Sequence, residues 1–154
     1  MHPLDYAMQV ELQGKKYYVE QAALMEDSGF REIFQGLADD EERHYQFVKQ
    51  IKQSGLYDYE GSTVSHNVAD HVDDHMADVL GGGVSNPNYI TIYQQALEFE
   101  DKSVDLYNEL ARDATSEGER AAFMMLVREE EAHRTLLRRV LQTLQRPEEY
   151  YPHL

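Results

Sequence analysis

Shifted by 89 residues, the chain falls on itself without a gap. Ala7 lands on Ala96, Glu11 on Glu100, Tyr18 on Tyr107, Glu20 on Glu109 and Ala22 on Ala111. The match continues with Gly29 on Gly118, Arg31 on Arg120, Phe34 on Phe123 and Leu37 on Leu126. It ends with Glu41 on Glu130, Glu42 on Glu131 and His44 on His133. Two amphipathic segments share alanine and leucine by chance. Chance accounts poorly for paired glycine, tyrosine, phenylalanine and histidine in a single register. Self-similarity of this kind means that one structural unit is used twice, and the fold must accommodate both copies.

Each copy reads as two helices. Apolar residues recur at three- and four-residue steps, as in Ile33, Phe34, Leu37, Tyr45, Val48 and Ile51. The periodicity predicts helices over about 4–25, 29–53, 88–113 and 116–144. Asp27-Ser28-Gly29 breaks the first pair, and Thr115-Ser116-Glu117-Gly118 breaks the second. Breaks this short make antiparallel hairpins, 4–54 and 88–145. The intervening segment, 55–87, is long for a connection inside a compact domain. A crossover running the length of a bundle explains it. The expected fold is therefore all-α: a ferritin-like four-helix bundle with its long crossover between the second and third helices. The 154 residues suit one domain, 1–154. Val64 to Leu80 has the pattern of a further short helix, and the tail from Arg146 reads as irregular.

The chemistry lies in a second layer of the repeat. Glu-x-x-His occurs twice, as Glu41…His44 and Glu130…His133, and positions i and i+3 share a helix face. Thirty residues before each motif stands another glutamate, Glu11 and Glu100. Counted from the hairpin turns, all of these stand at a similar height along the bundle. Four helices can then present four glutamates and two histidines at one level, the donor pattern of dinuclear iron or manganese carboxylate sites. Four carboxylates balance two divalent cations, and one imidazole completes each ion. A single Glu-x-x-His on an acidic helix is usually a solvated face. Two copies with two more glutamates in one repeat are not. Glu41 and His44 also fall among Leu37, Phe34 and Val48, where an uncompensated carboxylate would be costly. Oxygen and nitrogen donors without thiolate suit iron and manganese, and zinc would also bind.

Composition narrows the partners. With 14 basic against 29 acidic side chains the net charge is −15, which repels nucleic acid and anionic membranes and favours cations. No cysteine is present, so disulfides, thiolate metal sites and a cysteine nucleophile are excluded. The first residues carry no basic region followed by an apolar run, and no stretch approaches a membrane span, so the expected location is cytoplasmic.

The stretches Ala7–Tyr18 and Ala96–Tyr107 resemble the A-x-x-x-E-x-x-x-x-x-x-Y pattern of rubrerythrins. Leu37–His44 is similar to that family's L-A-x-x-E-x-x-H, and Leu126–His133 to its second copy. The resemblance spans both hairpins. It implies that Glu11, Glu41, His44, Glu100, Glu130 and His133 ligate two iron ions, with Glu41 and Glu130 bridging. It further implies a homodimer or larger assembly, which the long crossover would allow to be helix-swapped, and reaction with hydrogen peroxide or dioxygen. Rubrerythrins carry a cysteine-ligated rubredoxin domain that feeds electrons to the iron. This chain has no cysteine, so its reductant would be a separate donor such as a rubredoxin.

The main expectation is a non-haem di-iron oxidoreductase of rubrerythrin type. The alternatives are a ferroxidase, with iron as substrate, and a non-catalytic metal-binding protein. Tyr18 and Tyr107 stand two turns beyond Glu11 and Glu100, placed to hydrogen-bond a ligand carboxylate or to pack as core aromatics. Asp40 and Glu129 precede the histidines by four residues and either orient an imidazole or carry exposed charge. Glu20 and Glu109 fall opposite the donor stripe, as surface or interface charge. His71 and His75, at i and i+4, could bind a metal on a short helix, but with His66 they read first as a solvated crossover face.

Overall fold

Local chemistry sets each helix boundary. In a computed structural model describing residues 1–59 and 87–146, four α-helices form: α1 (Pro3–Leu24), α2 (Ser28–Ser54), α3 (Pro87–Arg112) and α4 (Glu117–Gln145). Asp27 caps α2 by accepting from the Phe30 amide at 3.0 Å, and Ser116 caps α4 by accepting from the Glu119 amide at 3.1 Å. Gly55 ends α2 in a left-handed conformation (φ 65°), which glycine adopts without a Cβ penalty. The helices lie within a residue or two of the sequence expectation.

The helices pair as two antiparallel hairpins, α1 with α2 and α3 with α4, in the ferritin-like arrangement. The repeated arginines close both turns. Arg31 donates to the Met25 carbonyl at 2.8 Å, while Arg120 donates to the carbonyls of Ala111 and Ala114 at 3.3 and 3.4 Å. Each guanidinium thus satisfies carbonyls left open where the preceding helix stops.

Two apolar clusters fill the bundle. One gathers Tyr18, Phe30, Phe34, Tyr93 and Leu137 toward the α1–α2 turn. The other gathers Phe47, Val48, Tyr107, Phe123 and Leu126 toward the opposite end. Between them lies a belt of fully buried Glu11, Asp40, Glu41, His44, Glu100, Glu130 and His133. Gln50 donates to the carbonyls of Leu56 and Asp58, which folds the start of the connection back against α2. The anticipated helix at Val64–Leu80, the histidines His66, His71 and His75, and the tail beyond Arg146 lie outside the described residues. No described helix is long and apolar enough to cross a membrane.

Candidate metal centre

Each helix contributes to the buried belt at the height that the repeat specifies. α1 brings Glu11, α2 brings Glu41 and His44, α3 brings Glu100, and α4 brings Glu130 and His133. The six side chains form two overlapping groups. Glu11, Glu41, His44 and Glu130 place one donor atom each within 4.8 Å of one another, as do Glu41, Glu100, Glu130 and His133. Glu41 and Glu130 belong to both. The two imidazoles stack with centroids 5.6 Å apart.

Each histidine turns Nδ1 toward the carboxylates. His44 Nδ1 lies 3.1 Å from Glu130 and 3.5 Å from Glu11. His133 Nδ1 lies 3.2 Å from Glu41, 3.3 Å from Glu130 and 3.4 Å from Glu100. On the far side of that ring, Nε2 donates to Asp40 Oδ2 at 2.7 Å. That bond places a proton on Nε2 and leaves Nδ1 as the nitrogen that faces the carboxylates.

Tyrosines pin the outer glutamates, and they do so across the repeat. Tyr18 of α1 donates to Glu100 Oε1 of α3, and Tyr107 of α3 donates to Glu11 Oε1 of α1. Burial, followed by the neighbouring carboxylates, raises both phenols well above their ordinary range, so both stay protonated donors. The second oxygens, Glu11 Oε2 and Glu100 Oε2, meet no hydrogen-bond donor. Neither do both oxygens of Glu41, Glu130 Oε2 or His133 Nδ1.

Buried carboxylates this close cannot all remain charged without cations. Burial and then the Glu130 charge raise Glu41 well above the ordinary carboxylate range and raise Glu100 to about 8. Burial also raises Glu11. Glu130 is the exception: burial opposes its charge, but His44 and His133 outweigh burial and hold it low. The unpaired oxygens and the inward nitrogen are a donor set that fits two divalent cations. Each would take one imidazole and one outer glutamate, sharing Glu41 and Glu130. Oxygen-rich donors with imidazole suit iron or manganese.

The Rubrerythrin family model matches residues 3–141. The chain belongs to the rubrerythrin family. No curated protein and no solved structure matches it.

In this rubrerythrin-family chain the sequence left several neighbours of the site unread. Asp40, expected either to orient an imidazole or to carry exposed charge, is fully buried and bonds an imidazole, that of His133 in the other hairpin rather than His44 in its own. Arg43 holds the other oxygen of Asp40. Gly14 lies against Phe99: a Cβ there would stand 2.5 Å from two ring atoms and 3.0 Å from Glu41 Oε2. Tyr59 places its ring 6.0 Å from His44 and 4.9 Å from Phe47. A signal existed for three of these. Asp40, Arg43 and Gly14 sit where the repeat fails, opposite Glu129, Ala132 and Ser103. Glu20 and Glu109 are exposed, away from the belt.

Proposed function

We propose that this chain is a non-haem di-iron oxidoreductase that reduces hydrogen peroxide or dioxygen and takes its electrons from a separate donor protein. The observation that carries the reading is the pair of buried four-residue groups sharing Glu41 and Glu130, with inward oxygens that no donor satisfies. Family membership supports iron as the metal.

Iron ions bound there would supply the redox electrons and Lewis acidity. The protein's own groups do the rest. Tyr18 and Tyr107 hold one oxygen of Glu100 and Glu11 and direct the other inward. Asp40 fixes the tautomer of His133. The two apolar clusters above and below the belt exclude bulk water and keep the carboxylates in a low-dielectric setting. The absence of cysteine leaves no thiolate-held electron carrier in this chain, so reducing equivalents would come from a partner such as a rubredoxin.

The test is stopped-flow absorbance. The metal-free protein is loaded anaerobically with two ferrous ions per chain, then mixed with hydrogen peroxide or with air-saturated buffer. Fast ferric absorbance with the iron retained and re-reducible is the expected result. Oxidised iron leaving the protein would instead identify a ferroxidase. Failure of both oxidants to react would leave a metal-binding role.

A further inference from the structure

The two halves of the repeat carry the same six donors but surround them differently. Residue 40 is Asp where its mate is Glu129, and residue 43 is Arg where its mate is Ala132. In the structure those two differences build a chain of contacts. Partly exposed Arg43 donates to Asp40 Oδ1, and buried Asp40 accepts from His133 Nε2 through Oδ2. The link crosses from α2 to α4 and ties an imidazole of one hairpin to the other.

His44 has no such support. Its Nε2 is buried and meets no hydrogen-bond partner among the described residues. Beside it stand aromatic rings: Tyr59, 6.0 Å away, with Phe47 packed on Tyr59 in turn. An imidazole whose outer N–H is held by a carboxylate has a fixed tautomer, a fixed ring plane and a more electron-rich lone pair. An imidazole whose outer nitrogen lacks such a partner, as His44 Nε2 does among the described residues, is without that restraint.

We propose that the Arg43–Asp40 pair makes the two metal positions unequal. The position formed by Glu41, Glu100, Glu130 and His133 holds its cation tightly, and the one formed by Glu11, Glu41, His44 and Glu130 holds its cation loosely and exchanges it faster. Arg43 and Asp40 act as positioning residues, through His133. The inference rests on the dinuclear reading of the cluster.

Calorimetric and visible-absorbance titration of the metal-free full chain with Co(II) alone tests it. Two binding steps in the wild type do not decide the matter, because a second divalent cation is repelled by the first even in a symmetric pair. Variants that keep one position do decide it. His44→Ala, with the His133 position intact, should bind one Co(II) at least ~10-fold more tightly than His133→Ala binds its one, the low end of what an outer carboxylate contributes to metal affinity. Adding Asp40→Asn to His44→Ala should weaken its ion by about 10–100-fold. Adding it to His133→Ala should change nothing.

Because Asp40 is buried, a gain-of-affinity arm guards against simple damage. Glu129→Asp with Ala132→Arg, built into His133→Ala, should tighten that variant's ion, and a tightening cannot come from misfolding. Equal affinities in the two histidine variants would overturn the inequality while leaving the dinuclear site standing. So would an Asp40→Asn effect of the same size in both backgrounds. Fewer than two Co(II) per wild-type chain would overturn the dinuclear reading and the inequality with it.

Discussion

A carboxylate has two oxygens, and in Glu11 and Glu100 a tyrosine occupies one of them. The remaining oxygen of each lies inward without a donor. Replacing Tyr18 by Phe keeps the ring among Phe34 and Phe99 but strips Glu100 Oε1 of its donor. A buried acceptor left unsatisfied costs about 1–3 kcal/mol. The metal-free Tyr18→Phe protein should therefore melt several degrees lower, since each kcal/mol moves a domain of this size by roughly 2–4 °C. It should still bind two divalent ions, because Glu100 keeps both oxygens. Tyr107→Phe should behave in the same way through Glu11. Thermal melts of the metal-free variants and metal counting by elemental analysis check both, and an unchanged melting point would mean that the phenols are packing groups only. The meeting of both tyrosines with the four glutamates and two histidines of the belt was legible in the sequence, because these residues coincide across the repeat. Asp40 was legible as a group able to orient an imidazole, but its choice of His133 and its contact with Arg43 were not, because the link joins opposite hairpins through residues that differ between the copies. A register match shows which residues are equivalent; it does not show which residues face each other.

At the level of helices, the hairpins were legible to within a residue or two because caps, glycines and apolar periodicity all gave the same boundaries. The distance between α1 and α3 was not. It depends on Gly14, over which the partly buried Phe99 ring closes beside Glu41. A glycine inside a helix reads in sequence as a local weakness of about 1 kcal/mol relative to alanine. Here it is the space that lets an aromatic edge approach. Gly14→Ala gains helix propensity, but its Cβ meets the ring at 2.5 Å, and overpacking of this kind costs about 1–3 kcal/mol. The balance should be a modest loss of stability. The decisive measurement is a double-mutant cycle by chemical denaturation. In a Phe99→Ala background the steric opponent is gone, so Gly14→Ala should become neutral or stabilising. The same loss in both backgrounds would mean that the ring is not what the Cβ meets.

For the whole molecule, cations held in the buried belt, as proposed, would make stability depend on them. Ions bound at 1,000 times their dissociation constant stabilise a fold by about 4 kcal/mol. Chelation should therefore lower the melting point on the order of 10 °C, at roughly 2–4 °C per kcal/mol. Acidity changes the size of that drop. Without metal, Glu100 is raised to about 8 by burial and then by Glu130, and Glu11 and Glu41 are raised too, from an ordinary value of 4.5. Burial opposes protonation of His44, but Glu130 and Glu11 outweigh it and raise the imidazole from 6.5 to about 10. Between the unfolded and folded values of these groups the native state holds protons that the unfolded chain has released. Its stability accordingly falls as pH rises through that window. Glu130, held low, has the opposite sign, and its contribution is lost only in acid, below 4.5. The metal-loaded protein follows the reverse course, because cations compete with those same protons and bind more tightly as pH rises. The gap in melting temperature between loaded and chelated protein should widen from about pH 6 to about pH 8. Calorimetric scans of both forms across that range measure it directly, and a gap that stays constant or narrows would mean that the cations and the protons do not share the carboxylates of this belt.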